Sequence, residues 1–378
     1  MTKVEVIHPS ELGPGEHGAW ANLQAATPEF GNPLLGPAFT RLVGEFRHDA
    51  RVAIWREGQG AEGFLGFHRT LGGFARPIGA PFSDYHALVS SPGPARLRQM
   101  LQGTGLQGIR LTGLVDPHGV FPPDLAQAPA HHIDLTAGAE AYLTGLWASS
   151  RNRGRNFKRY ARRLADELGP LRIAAPDTSA AAFEALLAWK QRQLAATGLH
   201  DFTASPWVDQ MFHRLFETPD VAFGGLMIGL YAGGRPVAAH FGVRQDDWFH
   251  PWIGAYDPDL ASFSPGVVHQ VMAAEAAAGL GIRIYDLGPR ADRSKSMFAN
   301  ASITVREGLA TGGSLQGRLA VGSERMLAPD GGLSLLGRVR NRWDHVAAVE
   351  QTLGGRLAGM ARAATVLNRR IDAWTRAA

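Results

Sequence analysis

The sequence has no cysteine among its 378 residues. Disulfide bonds, cysteine-ligated zinc, iron–sulfur clusters and a thiol nucleophile are therefore excluded from its chemistry. An excess of charge of one sign is also missing, since 38 lysines and arginines against 34 aspartates and glutamates give a net charge of +4. So small a charge does not predict bulk binding of nucleic acid, and any polyanion partner has to be recognised by a local basic cluster.

Long apolar runs are missing as well. The longest weakly polar stretch, residues 221–234, is interrupted by glycines and is shorter than the roughly 20 residues that a membrane-spanning helix needs. Residues 1–20 hold His8, Pro9, Glu11 and Glu16 but no apolar segment, which predicts neither a secretory signal nor a membrane anchor. We therefore expect a cytoplasmic protein, with a length that suits two domains.

The first part of the chain is predicted to be a mixed lobe of helices and strands. Strands are expected over 51–55 and 63–69, on either side of a turn sequence. A helix around residues 94–102 and a strand over 108–115 follow a loop rich in glycine and proline. Four prolines between residues 116 and 129 predict a linker, because proline continues neither a helix nor a central strand. We place a domain boundary near residue 135.

The second part begins with helices whose ends are well marked. One helical region is expected over 137–168, with a break near Ser149 and a stop at Gly169. A second helix is expected from the Ser179 cap to Gly198, and a third from Ser205 with proline at its first position.

A three-stranded antiparallel meander follows these helices. Its strands are predicted over 226–231, 236–244 and 248–256, joined by tight-turn sequences. After a polar loop, a helix runs from Ser264-Pro265-Gly266 to Ala278, and a strand covers 283–287. The backbone N–H groups of Gly266, Val267 and Val268 are expected to lack partners and to favour an anion such as phosphate. The alternative is an ordinary helix start.

This predicted order of a meander, a polar loop, a helix and a further strand resembles the acyl-CoA-binding core of the GCN5-related N-acetyltransferases (GNAT). Several short segments more narrowly resemble the CelD-like branch of bacterial FemABX-type acyltransferases of exopolysaccharide biosynthesis. These are Trp189-Lys190, the strand Pro236–His240, the strand end Gly254–Asp257, the turn Ser264–Gly266, the strand end Asp286–Gly288, and Lys295. The likeness covers about residues 50–310. The branch usually has Tyr-Lys where this chain has Ser294-Lys295.

The resemblance implies an α/β (α+β) fold of two tandem GNAT-like lobes with a C-terminal helical tail. The acceptor-side lobe is expected over 1–135, the acyl-CoA-side lobe over 136–312 and a basic helical tail over 313–378. The implied activity is acyl-CoA-dependent N-acyl transfer, with acetyl-CoA as the first donor considered, to an amino sugar of a polysaccharide precursor. The amine attacks the thioester directly, so no covalent enzyme intermediate is needed. Backbone groups are expected to hold the donor at Ile253, Gly254, Ala255, Ser264, Gly266 and Val267.

Four residues are candidates for handling protons. His240 has a side chain whose pKa suits a base near neutrality, although a structural histidine fits its apolar strand equally well. Asp286, at the end of its strand, is expected to act as base or to orient the acceptor's ammonium group. Tyr256 could protonate the leaving thiolate or simply pack. Lys295 could pair with an anionic group of the acceptor or be an ordinary surface lysine.

A run of basic residues is the candidate site for an anionic acceptor. It contains Arg151, Arg153, Arg155, Lys158, Arg159, Arg162 and Arg163, and no acid. Such runs are often solvated surface, but arginine forks suit diphosphate oxygens, and the resemblance suggests a sugar nucleotide or a lipid-linked sugar diphosphate. Arg155, Lys158 and Arg159 are therefore expected to bind the acceptor.

Two further groups of polar residues are candidates for binding sites. Asp84 and Tyr85 either line the acceptor pocket or form a surface turn. The histidines at 131, 132 and 250 have no ligand partners at metal-binding spacing, so we predict no metal.

The tail leaves two functions open. Residues 331–378 hold eight arginines against three acids, with apolar residues near helical spacing. They are expected to form a packed helical lid or a peripheral contact with acidic lipid or a biosynthetic complex. Two other hypotheses concern the function of the whole chain. One is FemX-like transfer from aminoacyl-tRNA, which is weakened by the lack of a long helical arm, and the other is a catalytically inactive interaction module.

Overall fold

The computed structural model describes residues 2–58, 60–92, 97–289, 293–327 and 335–361. Its first half contains β1 (Thr2–Ile7), α1 (Pro14–Ala26), α2 (Pro37–Phe46), β2 (Ala50–Glu57), β3 (Gly60–Arg69), β4 (Phe74–Pro77), β5 (Val89–Ser90), α3 (Leu97–Thr104), β6 (Gly108–Leu114) and β7 (Ala126–Asp134). Its second half contains α4 (Gly138–Ala148), α5 (Arg151–Leu168), β8 (Leu171–Ala174), α6 (Ala180–Thr197), α7 (Pro206–Phe216), β9 (Gly224–Ala232), β10 (Arg235–Gln245), β11 (Trp248–Tyr256), α8 (Pro265–Gly279), β12 (Ile284–Pro289), α9 (Arg293–Phe298), β13 (Ala301–Thr311), α10 (Leu315–Leu327) and α11 (Leu335–Val349).

The strands form one sheet whose two halves repeat the same plan. The order is β1-β2-β3-β4-β6-β13-β7-β12-β11-β10-β9-β8, with β5 beside β3. From either edge, four antiparallel strands lead to a parallel pair, β4 with β6 in the first half and β11 with β12 in the second. The connection within each parallel pair includes a helix, α3 or α8. This arrangement confirms the predicted mixed α/β class with two similar lobes.

The last strand of each half pairs with a strand of the other half. β7 pairs with β12, while β13 pairs with β6, and the two exchanged strands pair with each other at the centre of the sheet. The expected linker over 116–129 is therefore wrong in its second part, because β7 begins at Ala126. Pro129 is tolerated there since β12 joins β7 only from Ala130 onward, so at Pro129 only β13 is paired.

The local signals of the second half fix its elements where expected. The meander is confirmed as β9, β10 and β11. The Ser179 side chain accepts a hydrogen bond from the N–H of Ala182 and caps α6, and Gly198 ends that helix with φ +68°. The long helical region is divided at Ser149 and Ser150 into α4 and α5.

Helices cover both faces of the second half of the sheet. α4, α5 and α8 lie on one face, where Val271 packs among Ile228, Phe249 and Tyr285. α6 and α7 lie on the other face, where Phe183 and Phe212 pack on Phe241, together with α1 and α2 of the first half. We call these the α8 face and the α6 face.

The described part of the C-terminal tail packs on both halves. Residues 346–349 of α11 are buried. Arg47 donates a hydrogen bond to the carbonyl oxygen of Ala348 at 2.8 Å, and the indole of Trp207 donates one to that of Val349 at 2.8 Å. The rest of the predicted amphipathic tail, from residue 362, lies outside the described residues. Within the part of the chain that the structure describes, no helix combines the length and the apolar character needed to cross a bilayer.

Candidate active site

The parallel strands β11 and β12 diverge soon after they meet. They pair only through Trp248 with Ile284 and Phe249 with Tyr285. Trp252 is an extra residue that bulges out of β11, since Phe241 of β10 faces Ile253 and Gly242 faces Pro251. Both strands keep their outer partners, β10 and β7, along their length. A gap therefore opens inside the sheet, along the edge of β11 that carries the backbone of Ile253, Gly254 and Ala255.

The equivalent gap in the first half is filled by the chain itself. β4 and β6 also pair at only two positions before they separate. There the segment 84–86 enters, with His86 donating to the carbonyl of Gly113 at 3.1 Å and accepting from the N–H of Val115 at 2.8 Å. Gly113 has φ +70°, and a Cβ at this position would collide with the carbonyl oxygen of Asp84. Among the described residues, no backbone segment bonds into the corresponding gap of the second half.

Asp286 is completely buried on the α6 face of β12 and collects donors from both halves of the chain. Tyr85 donates its hydroxyl at 2.8 Å, Asn32 its amide at 2.9 Å and Gly288 its backbone N–H at 2.7 Å. Burial alone would raise the pKa of Asp286, but the contact with His250, the charge of His132 and the hydrogen bond from Tyr85 lower it to about 2. The carboxylate is thus ionised in the interior.

His250 links this carboxylate to a second one. Its Nδ1 lies 3.0 Å from Asp286 Oδ2, and its Nε2 lies 3.4 Å from Asp84 Oδ2, with its ring almost fully buried. The hydrogen-bond angles are poor, so the contacts are chiefly ionic. Burial would lower the pKa of His250, but the two carboxylates outweigh it and raise that pKa to about 9. A protonated imidazole therefore connects Asp286 to Asp84.

Asp84 is the member of this group that solvent reaches, with 43% of its side chain exposed. Its Oδ2 would lie 3.0 Å from a Cβ on Gly288, and Lys295 Nζ would lie 3.3 Å from the same Cβ. Lys295 also donates to the carbonyl of Pro289 at 3.0 Å. The structure thus brings together four of the sequence-predicted residues, Asp84, Tyr85, Asp286 and Lys295, where the two halves meet.

His240 belongs to the other face of the sheet. Its Nδ1 lies 2.7 Å from the hydroxyl of Tyr285, and its ring is 4.4 Å from that of His269 on α8. Burial, with the charges of His269 and Lys190, lowers the pKa of His240 well below its usual value. Lys190 Nζ, in turn, is 3.5 Å from the carbonyl oxygen of Gly254. His240 is therefore a neutral residue beside β11 and makes no described contact with the Asp286 group.

The start of α8 differs in part from the expectation. Ser264 is at the N-cap position but has φ +54° and makes no side-chain cap. The N–H groups of Val267 and Val268 bond to the carbonyl of Ser264, so the expectation that both lack partners is wrong. Among the described hydrogen bonds, none is donated by the N–H of Gly266. The ring of Tyr256, 40% exposed, lies 3.3 Å from where a Cβ of Gly266 would be.

The expected acceptor-binding residues are divided between two places. Arg155, Lys158 and Arg159 are exposed on the outer side of α5, on the α8 face. Arg159 lies over the ring of Tyr160, 5.0 Å from its centre. Asp84 and Tyr85, by contrast, contact the Asp286 group across the sheet. The basic helix therefore does not lie beside those two residues.

Sequence reasoning missed three members of the site, which are His250, Asn32 and His132, whose Nε2 lies 3.6 Å from Asp286 Oδ1. His250 and His132 were considered only as metal ligands, and Asn32 was not considered. Within the described ranges, no group of three metal-ligating side chains occurs. A signal for His250 was present, because Trp248 and His250 are two residues apart in the predicted strand 248–256 and so share one of its faces. No local pattern marks Asn32.

Comparison with known proteins identifies the second half. Residues 151–296 match the model of an acetyltransferase (GNAT) domain. No curated protein matches the chain. The crystal structure of FemX is similar over 84% of this chain and 99% of that one, with 9% identity and a TM-score of 0.54, which shows a shared fold.

Two other solved structures are also similar. One is the C-terminal DUF2156 domain of a putative lysylphosphatidylglycerol synthetase from Agrobacterium fabrum, with 13% identity, 83% and 97% coverage and a TM-score of 0.47. The other is a tandem GNAT protein from the clavulanic acid biosynthesis pathway, with 12% identity, 83% and 99% coverage and a TM-score of 0.45. The match of residues 151–296 to the GNAT acetyltransferase model supports an acyltransferase.

Proposed function

We propose that this protein transfers an acyl group from acyl-CoA, with acetyl-CoA as the first candidate, to the amine of an amino sugar in a polysaccharide precursor. The observation that carries the proposal is the gap between β11 and β12, open in the second half and filled by residues 84–86 in the first. One lobe can thus admit a donor between its strands, while the other supplies polar side chains to the acceptor.

The donor is proposed to lie along β11 and the first turn of α8. Gly266 has a backbone N–H without a described partner, which suits a phosphate oxygen at the positive end of a helix. Ser264 and Val267 flank it. The edge of β11 at Ile253, Gly254 and Ala255 borders the gap, and those of its backbone groups that point away from β10 are proposed to hold the pantetheine arm and the thioester oxygen.

The acceptor is proposed to bind at Asp84. The Asp84 carboxylate faces solvent. On its buried side it contacts the protonated His250, whose positive charge is stabilised by the ionised Asp286. The acceptor's ammonium group binds Asp84 and passes a proton through it to water, and the free amine forms the C–N bond. The C–S bond then breaks and the thiolate takes a proton, for which Tyr256 is the proposed donor. The new amide nitrogen loses its second proton to water, and water returns a proton to the phenolate of Tyr256. His250 and Asp286 are positioning residues in this scheme.

Isothermal titration with CoA and acetyl-CoA is the first test. We expect micromolar binding, followed by acetyl transfer to amino sugars carried on nucleotide diphosphates or on lipid diphosphates. Asp84→Asn is expected to reduce transfer by about 100-fold with unchanged acetyl-CoA affinity. Asp259→Asn, an exposed carboxylate paired with Arg192, is the matched control and should keep full activity. Absence of CoA binding to the folded protein would refute the proposal.

Transfer from aminoacyl-tRNA is the second candidate, because one observation favours it. Arg155, Lys158 and Arg159 form an exposed cationic surface on the α8 face, where the donor is proposed to bind. A tRNA donor would bind with an affinity that falls steeply with salt. Filter binding of charged tRNA between 50 and 200 mM salt, beside the CoA titration, separates the two donors.

A peripheral membrane contact through the basic tail belongs to the leading proposal and is tested by vesicle sedimentation.

A further inference from the structure

A cavity of about 410 Å³ lies on the α8 face. Its walls are the end of α4, the first half of α5, the first two turns of α8 and the end of α9. This volume is within the usual range for small-molecule sites. The cavity begins at Val267, the residue that follows Gly266 in the chain.

The flat wall of the cavity is the indole of Trp147. Its ring stacks on Phe157, with centroids 5.5 Å apart and planes at 24°, and it also lies against Gly154, where a Cβ would be 3.4 Å from the indole. Because both contacts are on α5, the indole is held in a fixed orientation. A fixed aromatic plane offers a stacking surface to another flat ring.

Polar groups line the same cavity. Asn152 and Asn156 offer amides, which can both donate and accept hydrogen bonds. Arg153 lines it as a half-buried cation, and its Nη1 donates to Ser149 Oγ at 2.7 Å. An aromatic plane, amides and a guanidinium are together the chemistry that recognises a nucleotide.

The positions of the site and of the cavity on opposite faces of the sheet indicate which end of the donor binds in the cavity. The Asp84, His250 and Asp286 group lies on the α6 face, so the thioester has to pass through the gap toward that face. The opposite end of the donor then remains on the α8 face, beside Gly266 and the cavity. We propose that the cavity binds the nucleotide end of the acyl donor, with the adenine base on Trp147 and a ribose phosphate at Arg153. This inference rests on the proposed function and adds residues to it.

Isothermal titration with CoA, 3′-dephospho-CoA and 4′-phosphopantetheine tests the assignment on the full chain. Wild-type protein should bind CoA at least about tenfold more tightly than 4′-phosphopantetheine. Trp147→Ala should remove that difference and leave the affinity for 4′-phosphopantetheine unchanged, while Trp147→Phe should keep most of it. Arg153→Gln should weaken CoA but not 3′-dephospho-CoA. Arg214→Gln, on α7 across the sheet and paired with Glu45, is the control.

Each other outcome is decisive. Equal wild-type affinity for CoA and 4′-phosphopantetheine overturns the nucleotide assignment while the proposed function stands. The nucleotide assignment is also overturned if Trp147→Ala lowers the affinities for CoA and 4′-phosphopantetheine equally. It is overturned as well if the variant changes only the preference among acyl chain lengths, because the cavity would then be a site for the acyl chain. If none of the three ligands binds the folded wild-type protein, the proposed function fails and this inference fails with it. Thermal unfolding of each variant verifies that it is folded.

Discussion

Tyr285 and Asp286 are neighbours in β12, yet their side chains form hydrogen bonds on opposite faces of the sheet. The hydroxyl of Tyr285 lies 2.7 Å from His240 Nδ1 on the α8 face, while Asp286 accepts the hydroxyl of Tyr85 at 2.8 Å on the α6 face. Alternation along a strand requires this separation. Donor and acceptor are therefore expected to approach from opposite faces and to meet at the gap beside β12.

Asp286→Asn is expected to damage both stability and transfer. The substitution leaves the buried, protonated His250 without its nearest charge, which typically costs about 3 kcal/mol or more of unfolding free energy. Asp84 loses its fixed support, so kcat should fall by about 100-fold while the affinity for CoA is kept. Chemical denaturation and steady-state kinetics measure the two effects. Asp259→Asn, at a largely exposed pair, should change neither, and an active, stable Asp286→Asn variant would contradict the site.

Stability should fall on the alkaline side because of His250. Its pKa is raised to about 9 in the folded protein from an ordinary 6.5, so its stabilising contribution is complete below pH 6.5 and is lost as the pH rises toward 9. Within that window, this one proton changes the unfolding free energy by up to about 1.4 kcal/mol per pH unit. Urea denaturation at several pH values measures the slope. His250→Gln should flatten it, and an unchanged slope in that variant would show that His250 is not charged.

Gly266→Ala is expected to weaken donor binding without destabilising the protein. A Cβ at this position comes within 3.3 Å of the Tyr256 ring and stands in front of the free N–H, while alanine favours the helix. KM for the acyl donor should rise about tenfold, with KM for the acceptor unchanged. Gly279→Ala, at the other end of α8 with no atom within 4 Å of a Cβ, is the matched control. Equal donor KM values in the two variants would argue against a donor at this turn.

Gly113→Ala is expected to displace Asp84 from the acceptor site. Its Cβ would collide with the carbonyl of Asp84, in addition to the strain of a positive φ. Gly105→Ala has a similar φ of +68° but meets nothing within 4 Å, so it should lose only about 1 kcal/mol of stability from backbone strain. The acceptor KM should rise in Gly113→Ala alone, with CoA affinity kept in both. A normal acceptor KM in folded Gly113→Ala would separate segment 84–86 from acceptor binding.

Most elements of the second half could be predicted from the sequence because their signals are local. Ser179 and Gly198 act on the helix that they cap, and the turns of the meander act on the strands beside them. The linker was predicted less well. A run of prolines indicates that regular pairing is difficult, but it does not show that Pro129 will lie where one neighbouring strand is missing.

The order of the meander, α8 and β12, the start of α8 at Pro265 and the exclusion of thiol chemistry follow from the sequence alone. Each of these depends on residues close together in the chain. Only the tertiary structure decided that β7 and β13 change places, that segment 84–86 fills one gap and leaves the other open, and that His250 joins Asp84 to Asp286. Those contacts join residues far apart in sequence, and their free energy comes from burial and charge pairing that no local pattern encodes.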